Sequence, residues 1–433
     1  MRTNSKHLLF WKTFTVISLM LITAGLIYLT GCAPTAQQTE ISPERQKAIQ
    51  DSLQKAYIYE LNKAWSTGYE YYKPKIYNRA LKPFWRVIKL DTIDRFKDVF
   101  GYLSTSYFEL GKPDSAQLVL EMGIEKYPDN VGLRRNLAYI LEKKELIGEA
   151  ITQYEKVVEL DGNDASDWKR LANLYLRNDQ IDDAIIAYQK IIEIDPSDQD
   201  AQQTLGQLLK GTGDSDAAIQ ALEKALELDP DNTQLMFDIG KSYFDQGDYT
   251  KSIEKLNQYL QKNPEDVFAK EMLGEAYFNK GNYRKALNTF KEVVEARPQN
   301  KKVYVDIANS YKELGNYPTA RNYVYRAMKI DNRYGRSYLV LGQIYEAAVD
   351  DCMRKTNKKS PKFDDKLVYK EAVRQYELAT RDLQFANEAE RQKSYLKDFL
   401  PKKEDEFFNK DRRTPNGKYR IQEDCYKWIA DAL

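Results

Sequence analysis

From about residue 61 the chain repeats one short rhythm of apolar and polar positions. In residues 267–300, Lys270, Leu273, Gly274 and Tyr277 mark one face of a helix at spacings of three and four. Gly281-Asn282 then makes a turn, where glycine accepts a left-handed backbone cheaply. Ala286, Phe290 and Val293 mark the facing stripe of a second helix, which Pro298 ends. Small residues at Gly274 and Ala286 let the two helices approach closely. The rhythm returns every 34 residues. Pro128, Pro196, Pro230, Pro264 and Pro298 share one grid, with Gly162 and Asn332 at its other nodes. Gly111, Gly213, Gly247, Gly281 and Gly315 form a second grid of the same period. Alanines at 116, 150, 184, 218, 286 and 320 form a third, broken only by Ser252. A helix pair this short cannot bury its apolar face alone, so neighbouring pairs must stack.

The expected units start at 97, 131, 165, 199, 233, 267 and 301, after a divergent unit at about 61–96 carrying Gly68, Tyr71, Ala80, Phe84 and Val87. A last unit opens at 335 with Tyr338, Leu341, Gly342 and Tyr345, and its second helix emerges only at Ala372, Tyr376 and Ala379. That delay implies an insertion of about 18 residues, polar and basic around 354–366. It is expected to be a solvated loop, the other reading being a docking loop for an acidic partner or lipid head groups. Beyond 380 the grid is lost. Residues 381–398 are expected to form an amphipathic capping helix, because solenoid ends need a polar outer face. The rest of the tail, to 433, contains N-G-K-Y-R-I, which suggests a turn and a short extended segment.

This pattern resembles the tetratricopeptide repeat, whose signature is W-x2-L-G-x2-Y, then A-x3-F-x2-A, then P. The fullest matches are Trp168, Leu171, Tyr175, Ala184, Tyr188 and Pro196, and Leu273, Gly274, Tyr277, Ala286, Phe290 and Pro298. The resemblance covers most of 61–334 and implies an all-α, right-handed superhelical solenoid of stacked helix-turn-helix units with a C-terminal capping region. It also implies a concave face lined by the first helices at repeat positions 2, 5, 9, 12 and 13. Carried over, those positions give Arg135, Tyr139 and Glu142; Lys169, Asn173 and Arg177; Gln203 and Gln207; Phe237, Lys241 and Phe244; Glu271, Glu275 and Phe278; and Val305, Asn309 and Lys312. Such a groove has a basic end at Arg135, Lys169 and Arg177, an aromatic middle and an acidic end at Glu271 and Glu275. Lys169 and Asn173 match two members of the family's carboxylate clamp. The clamp then fails at Thr204, Gln234 and Asp238.

The N-terminus changes the picture from a repeat protein to an anchored one. Arg2, Lys6 and Lys12 precede a largely apolar run from Phe14 to Tyr28. The run is about 15 residues, short for a spanning helix and typical of a secretory signal. It ends in Leu29-Thr30-Gly31-Cys32, which resembles the bacterial lipobox. The resemblance implies cleavage before Cys32, removal of 1–31 and fatty acylation at Cys32, which fixes a chain stably to a bilayer. Ala33 follows in place of an inner-membrane-retaining aspartate, so the expected location is the outer membrane, facing the periplasm. Residues 32–42 read as a flexible tether. Ser42-Pro43-Glu44 then supplies a helix cap, a proline at the first helical position and an acid suited to the helix dipole.

Composition narrows the function classes. Lys plus Arg number 66 against 65 Asp plus Glu, which gives no electrostatic case for nucleic acid. The single histidine, His7, lies in the segment expected to be removed, which disfavours His-dependent catalysis and most zinc sites. No phosphate loop or dinucleotide fingerprint is present. No cofactor, metal or catalytic residue is expected. Cys352 and Cys425 are left, either as free thiols or as a disulfide that an oxidising compartment permits. The expected function is a non-enzymatic scaffold binding segments of other envelope proteins, with contact to the membrane through the lipid. A glycan-binding lipoprotein is the alternative. Some outer-membrane sugar receptors carry such repeats and 32 tyrosines could stack on sugars, but seven units run here without the long loops of those receptors.

Overall fold

The computed structural model describes residues 42–429. The expected signal segment, Cys32 and nearly all of the tether lie outside them. The chain divides into two compact units, Met1–Pro128 and Asp129–Leu433. Among the described residues there is no strand, only an isolated antiparallel bridge between Arg413 and Tyr419. No helix among them is long and apolar enough to cross a membrane.

In the first unit, α1 (Pro43–Tyr72) and α2 (Tyr77–Leu90) pair, followed by α3 (Val99–Glu109) and α4 (Pro113–Lys126). Ser42 caps α1 by accepting from Arg45 N, with Pro43 at the first helical turn. Residues 43–56 are exposed, and burial begins at Leu61, Ala64 and Gly68. A Cβ on Gly68 would come within 2.5 Å of the Phe84 ring, so this helix contact requires glycine. Aromatic rings fill the unit's core: Trp65 stacks on Phe96 at 4.6 Å, and Tyr102 meets Tyr72 edge-on at 4.9 Å.

In the second unit six helix pairs follow one another: α5 (Val131–Lys143) with α6 (Ile147–Leu160), α7 (Ala165–Arg177) with α8 (Ile181–Ile194), and α9 (Gln199–Thr212) with α10 (Ser215–Leu228). Next come α11 (Thr233–Gln246) with α12 (Tyr249–Lys262), α13 (Val267–Asn279) with α14 (Tyr283–Ala296), and α15 (Lys301–Glu313) with α16 (Tyr317–Ile330). Each first helix starts at an Asp or Asn whose side chain accepts a backbone N–H: Asn130, Asp164, Asp198, Asn232, Asp266 and Asn300. These caps satisfy amides that the helix cannot. They form a fourth grid of the same period. The turn inside each pair holds one left-handed residue. Gly213, Gly247, Gly281 and Gly315 take positive φ, and so do Glu145 (φ 58°) and Asp179 (φ 56°), which stand at the same grid position without being glycine.

Pairs are joined to pairs by a recurring latch. Tyr175 donates to Glu155 of the preceding repeat at 2.9 Å, and Tyr243 donates to Glu223 at 2.8 Å. Burial, followed by those carboxylate acceptors, pushes both phenols well above their usual range. Tyr277 and Asn257 meet at the same place one junction on.

The array closes on α17 (Gly335–Lys355), α18 (Phe363–Ala379) and α19 (Leu383–Leu396), then the short α20 (Lys403–Phe408) and a 3-10 turn at Asp424–Ile429. The basic insertion is not a long loop. Its apolar flanks Ala348, Val349 and Cys352 on one side, and Leu367 and Val368 on the other, continue the buried stripes. Both helices therefore lengthen, and only residues 356–362 lie between them. Within that connection Lys358 is 9% exposed and pairs with Asp365 and Glu423 at 2.9 Å each. The tail folds back onto this pair. Cys352 and Cys425 are disulfide-bonded, Cα 6.1 Å apart. Buried Asp364 accepts from Arg412 and from the amides of Gln422 and Glu423, and Tyr426, fully buried, donates to Asp365.

Candidate binding face

Within the second unit the first helices of successive pairs adjoin one another: α11 with α13, α13 with α15, and α15 with α17. Their outward residues make one strip, and most of its charges are engaged along it. Arg135 on α5 forms a two-pronged pair with Asp167 on α7 at 2.9 and 2.5 Å, which raises the guanidinium's affinity for its proton. Lys169 pairs with Asp198. Arg177 reaches back to Glu142 at 2.8 Å and Glu145 at 2.9 Å. Glu271 and Glu275 on α13 share Lys302 on α15, and Glu271 also accepts from Asn300. Lys312 lies 3.2 Å from its neighbour Glu313.

The remaining members divide. Asn173 and Gln207 are exposed, Gln203 and Lys241 half-buried, and Val305 fully buried in the core. Tyr139 is exposed, with the Lys143 ammonium over its ring. Phe244 and Phe278 lean on Tyr249 and Tyr283 of their own repeats, at 5.6 and 5.3 Å. Phe237 packs between Tyr259 and Phe268, and Phe268 is half exposed, so the aromatic edge there is open.

One concavity of about 230 Å³ interrupts the strip, between α13, α15 and α17. Glu275, Phe278, Lys302, Asp306, Asn309 and Arg336 line it. Asp306 is 7% exposed and takes one hydrogen bond on Oδ1 from Arg336, at 2.6 Å. Its Oδ2 has no hydrogen-bond donor, and neither has the buried Oδ1 of Asn309. Burial drives the Asp306 carboxyl above its usual range, against the pull of Arg336 and Lys302. Burial alone would lower the Lys302 ammonium; Glu271 and Glu275 outweigh it and hold it above its usual value. Of this cluster the concave-face positions gave Glu275, Phe278 and Asn309. Lys302 and Arg336 stand at the second position of their repeats, so a charge count along that register would have found them. Asp306 stands one residue past the fifth position, outside the expected set.

Tetratricopeptide-repeat models match residues 103–167, 165–198 and 277–344, and a model described as the cytochrome c-type biogenesis protein H TPR domain matches 203–304. The stretch from 103 to 344 is thus built of tetratricopeptide repeats. The chain is similar to an uncharacterized protein, ycf37, of Cyanophora paradoxa, 36% identical over 98 residues that are 21% of this chain and 54% of that one. It is also similar to a TPR repeat-containing protein, MJ1428, of Methanocaldococcus jannaschii, 32% identical over 100 residues, 23% of this chain and 16% of that one. The match thus spans about half the length of the first relative and about a sixth of the second. Among solved structures, YrrB, described as a TPR protein with an unusual peptide-binding site, is 22% identical, with 42% of this chain and 95% of that one covered and a TM-score of 0.37. No enzyme family is indicated among these matches.

Proposed function

We propose that the protein is a non-enzymatic scaffold, held to the outer membrane by acylation at Cys32, that presents the first-helix strip to segments of other envelope proteins. The observation that carries this reading is the run of six regular pairs, whose first helices adjoin from α11 to α15, leaving the open aromatic edge at Phe237 and Phe268 beside polar side chains. The lipobox residues Leu29-Thr30-Gly31-Cys32 support the anchor. Tyrosines such as Tyr175 and Tyr243 are committed to repeat junctions, which favours protein binding over sugar stacking. Cys32→Ser should accumulate as an uncleaved precursor without acyl label. Affinity capture from crosslinked membranes should recover partners with the wild type and lose them with Phe237→Ala plus Phe244→Ala. Processing of the serine variant with label still incorporated would remove the anchor, and unchanged capture would remove the strip.

A further inference from the structure

The concavity between α13, α15 and α17 has a chemical demand that its own residues leave unmet. Glu271, Glu275 and Asp306 bring three carboxylates to this place, and Lys302 and Arg336 bring two cations. With all five groups ionised, the carboxylates exceed the cations by one negative charge. Lys302 spans Glu271 and Glu275, and its Nζ stands 3.8 Å from Asp306 Oδ2, beyond a hydrogen bond. An ionised carboxylate offers acceptors only, and a buried one without a donor is costly. Asn309 can turn its amide either way, so the demand rests on Asp306. The Phe278 ring contributes an apolar wall whose face attracts cations.

Resting on the reading that this strip binds protein segments, we infer that the concavity seats one basic side chain, arginine or lysine, of a bound segment. Its N–H groups would supply the missing donors to Asp306 Oδ2 and Glu275, and its charge would neutralise the cluster. An anionic group is disfavoured, because Lys302 and Arg336 are already paired with carboxylates and the carboxylates outnumber them. The specificity runs opposite to a carboxylate clamp, which grips an acidic terminus with basic residues.

A displayed library of random twelve-residue peptides, selected on the full-length protein, tests this. Wild type should enrich peptides with arginine or lysine at one fixed register. A selected peptide should lose at least tenfold in affinity when that residue becomes methionine or when the protein carries Asp306→Asn. Glu275→Gln, at the rim of the cavity, should lower affinity for the basic peptide severalfold and leave the methionine peptide unchanged; it serves where Asp306→Asn disturbs folding. Selected peptides that lack a basic residue yet respond to Phe237→Ala would overturn the basic seat and leave the strip standing. Peptides indifferent to Phe237→Ala and to the acidic variants, or no selected peptides at all, would remove both. Binding abolished by a chelator would assign the cavity to a divalent cation and end the proposal.

Discussion

The repeats from 165 to 298 and the closing end from 335 to 429 belong to the same unit but are held together by different physics. In the run of repeats the pairs meet their neighbours through a narrow apolar stripe, a tyrosine latch where Tyr175, Tyr243 or Tyr277 stands, and half-exposed ion pairs of small individual worth. At the closing end three tyrosines, Tyr345, Tyr376 and Tyr426, are fully buried, two aspartates are taken out of water with their partners, and a disulfide ties the tail to α17. Losing one partner of such a buried pair is far more damaging than losing a surface pair. A solenoid needs its end sealed, because the last apolar face has no following repeat to cover it. Here the seal is a folded-back tail. Local opening of the run is therefore expected to cost less than opening of its terminus.

The largest effect should come from opening the seal. A cross-link across 73 residues restrains the unfolded chain by about 4 kcal/mol in the chain-entropy account. Reduction, or Cys425→Ser, should lower hydrogen-exchange protection across 335–429 and leave 165–298 unchanged. Equal loss in both regions would erase the contrast between them.

A smaller, opposite experiment is to damage the run. Ala286 is fully buried where α13 and α14 touch, and Ala286→Leu should cost about 1–3 kcal/mol by overpacking. Protection should fall between about 233 and 334 and stay intact in the tail. Uniform loss along the unit would show that the repeats do not act through their neighbours alone.

The smallest effect is a gain. Glu145 and Asp179 hold left-handed backbone that glycine adopts without the side-chain clash, so Glu145→Gly and Asp179→Gly should each raise stability by up to about 1 kcal/mol. Glu145→Gly also gives up the exposed pair with Arg177, so its gain in denaturant midpoint should be the lesser of the two. A loss at Asp179 would mean that the turn is not under this constraint.

The helix pairs were legible because each repeat writes the same apolar spacing, and the turn grid was legible wherever glycine occupied it. Glu145 and Asp179 hid two nodes, since nothing in their side chains announces φ. The capping grid at 130, 164, 198, 232, 266 and 300 was legible in principle and lies outside the helix faces that the periodicity follows. The basic stretch near 354–366 misleads because charge alone reads as loop, whereas the buried Cys352 and Leu367 stripes decide helix. The cluster at Asp306 could not be read from one repeat. Its pairs join residues about 30 apart across a junction, and their meeting depends on the stagger between neighbouring helices. Spacing also says nothing of whether two cysteines approach, which the 6.1 Å between Cys352 and Cys425 Cα atoms settles for this structure.

The junction pairs have a consequence for how such a chain avoids confusing its own parts. Six near-identical helix pairs could in principle dock in the wrong order during folding, since their apolar faces are almost interchangeable. The charges are not. Between the repeats at 131 and 165 the cation comes first, Arg135 against Asp167; between those at 267 and 301 it comes second, Glu271 against Lys302. If α5 skipped ahead to dock on α15, Arg135 would face Lys302. If α13 turned back to α7, Glu271 would face Asp167. Each mistaken pairing sets like charges together at the edge of an apolar contact, a penalty that the correct order escapes. The same pairs that line the strip thus distinguish the early junctions, where the cation comes first at Arg135 and Lys169, from the later ones, where the acid comes first at Glu271 and Asp306.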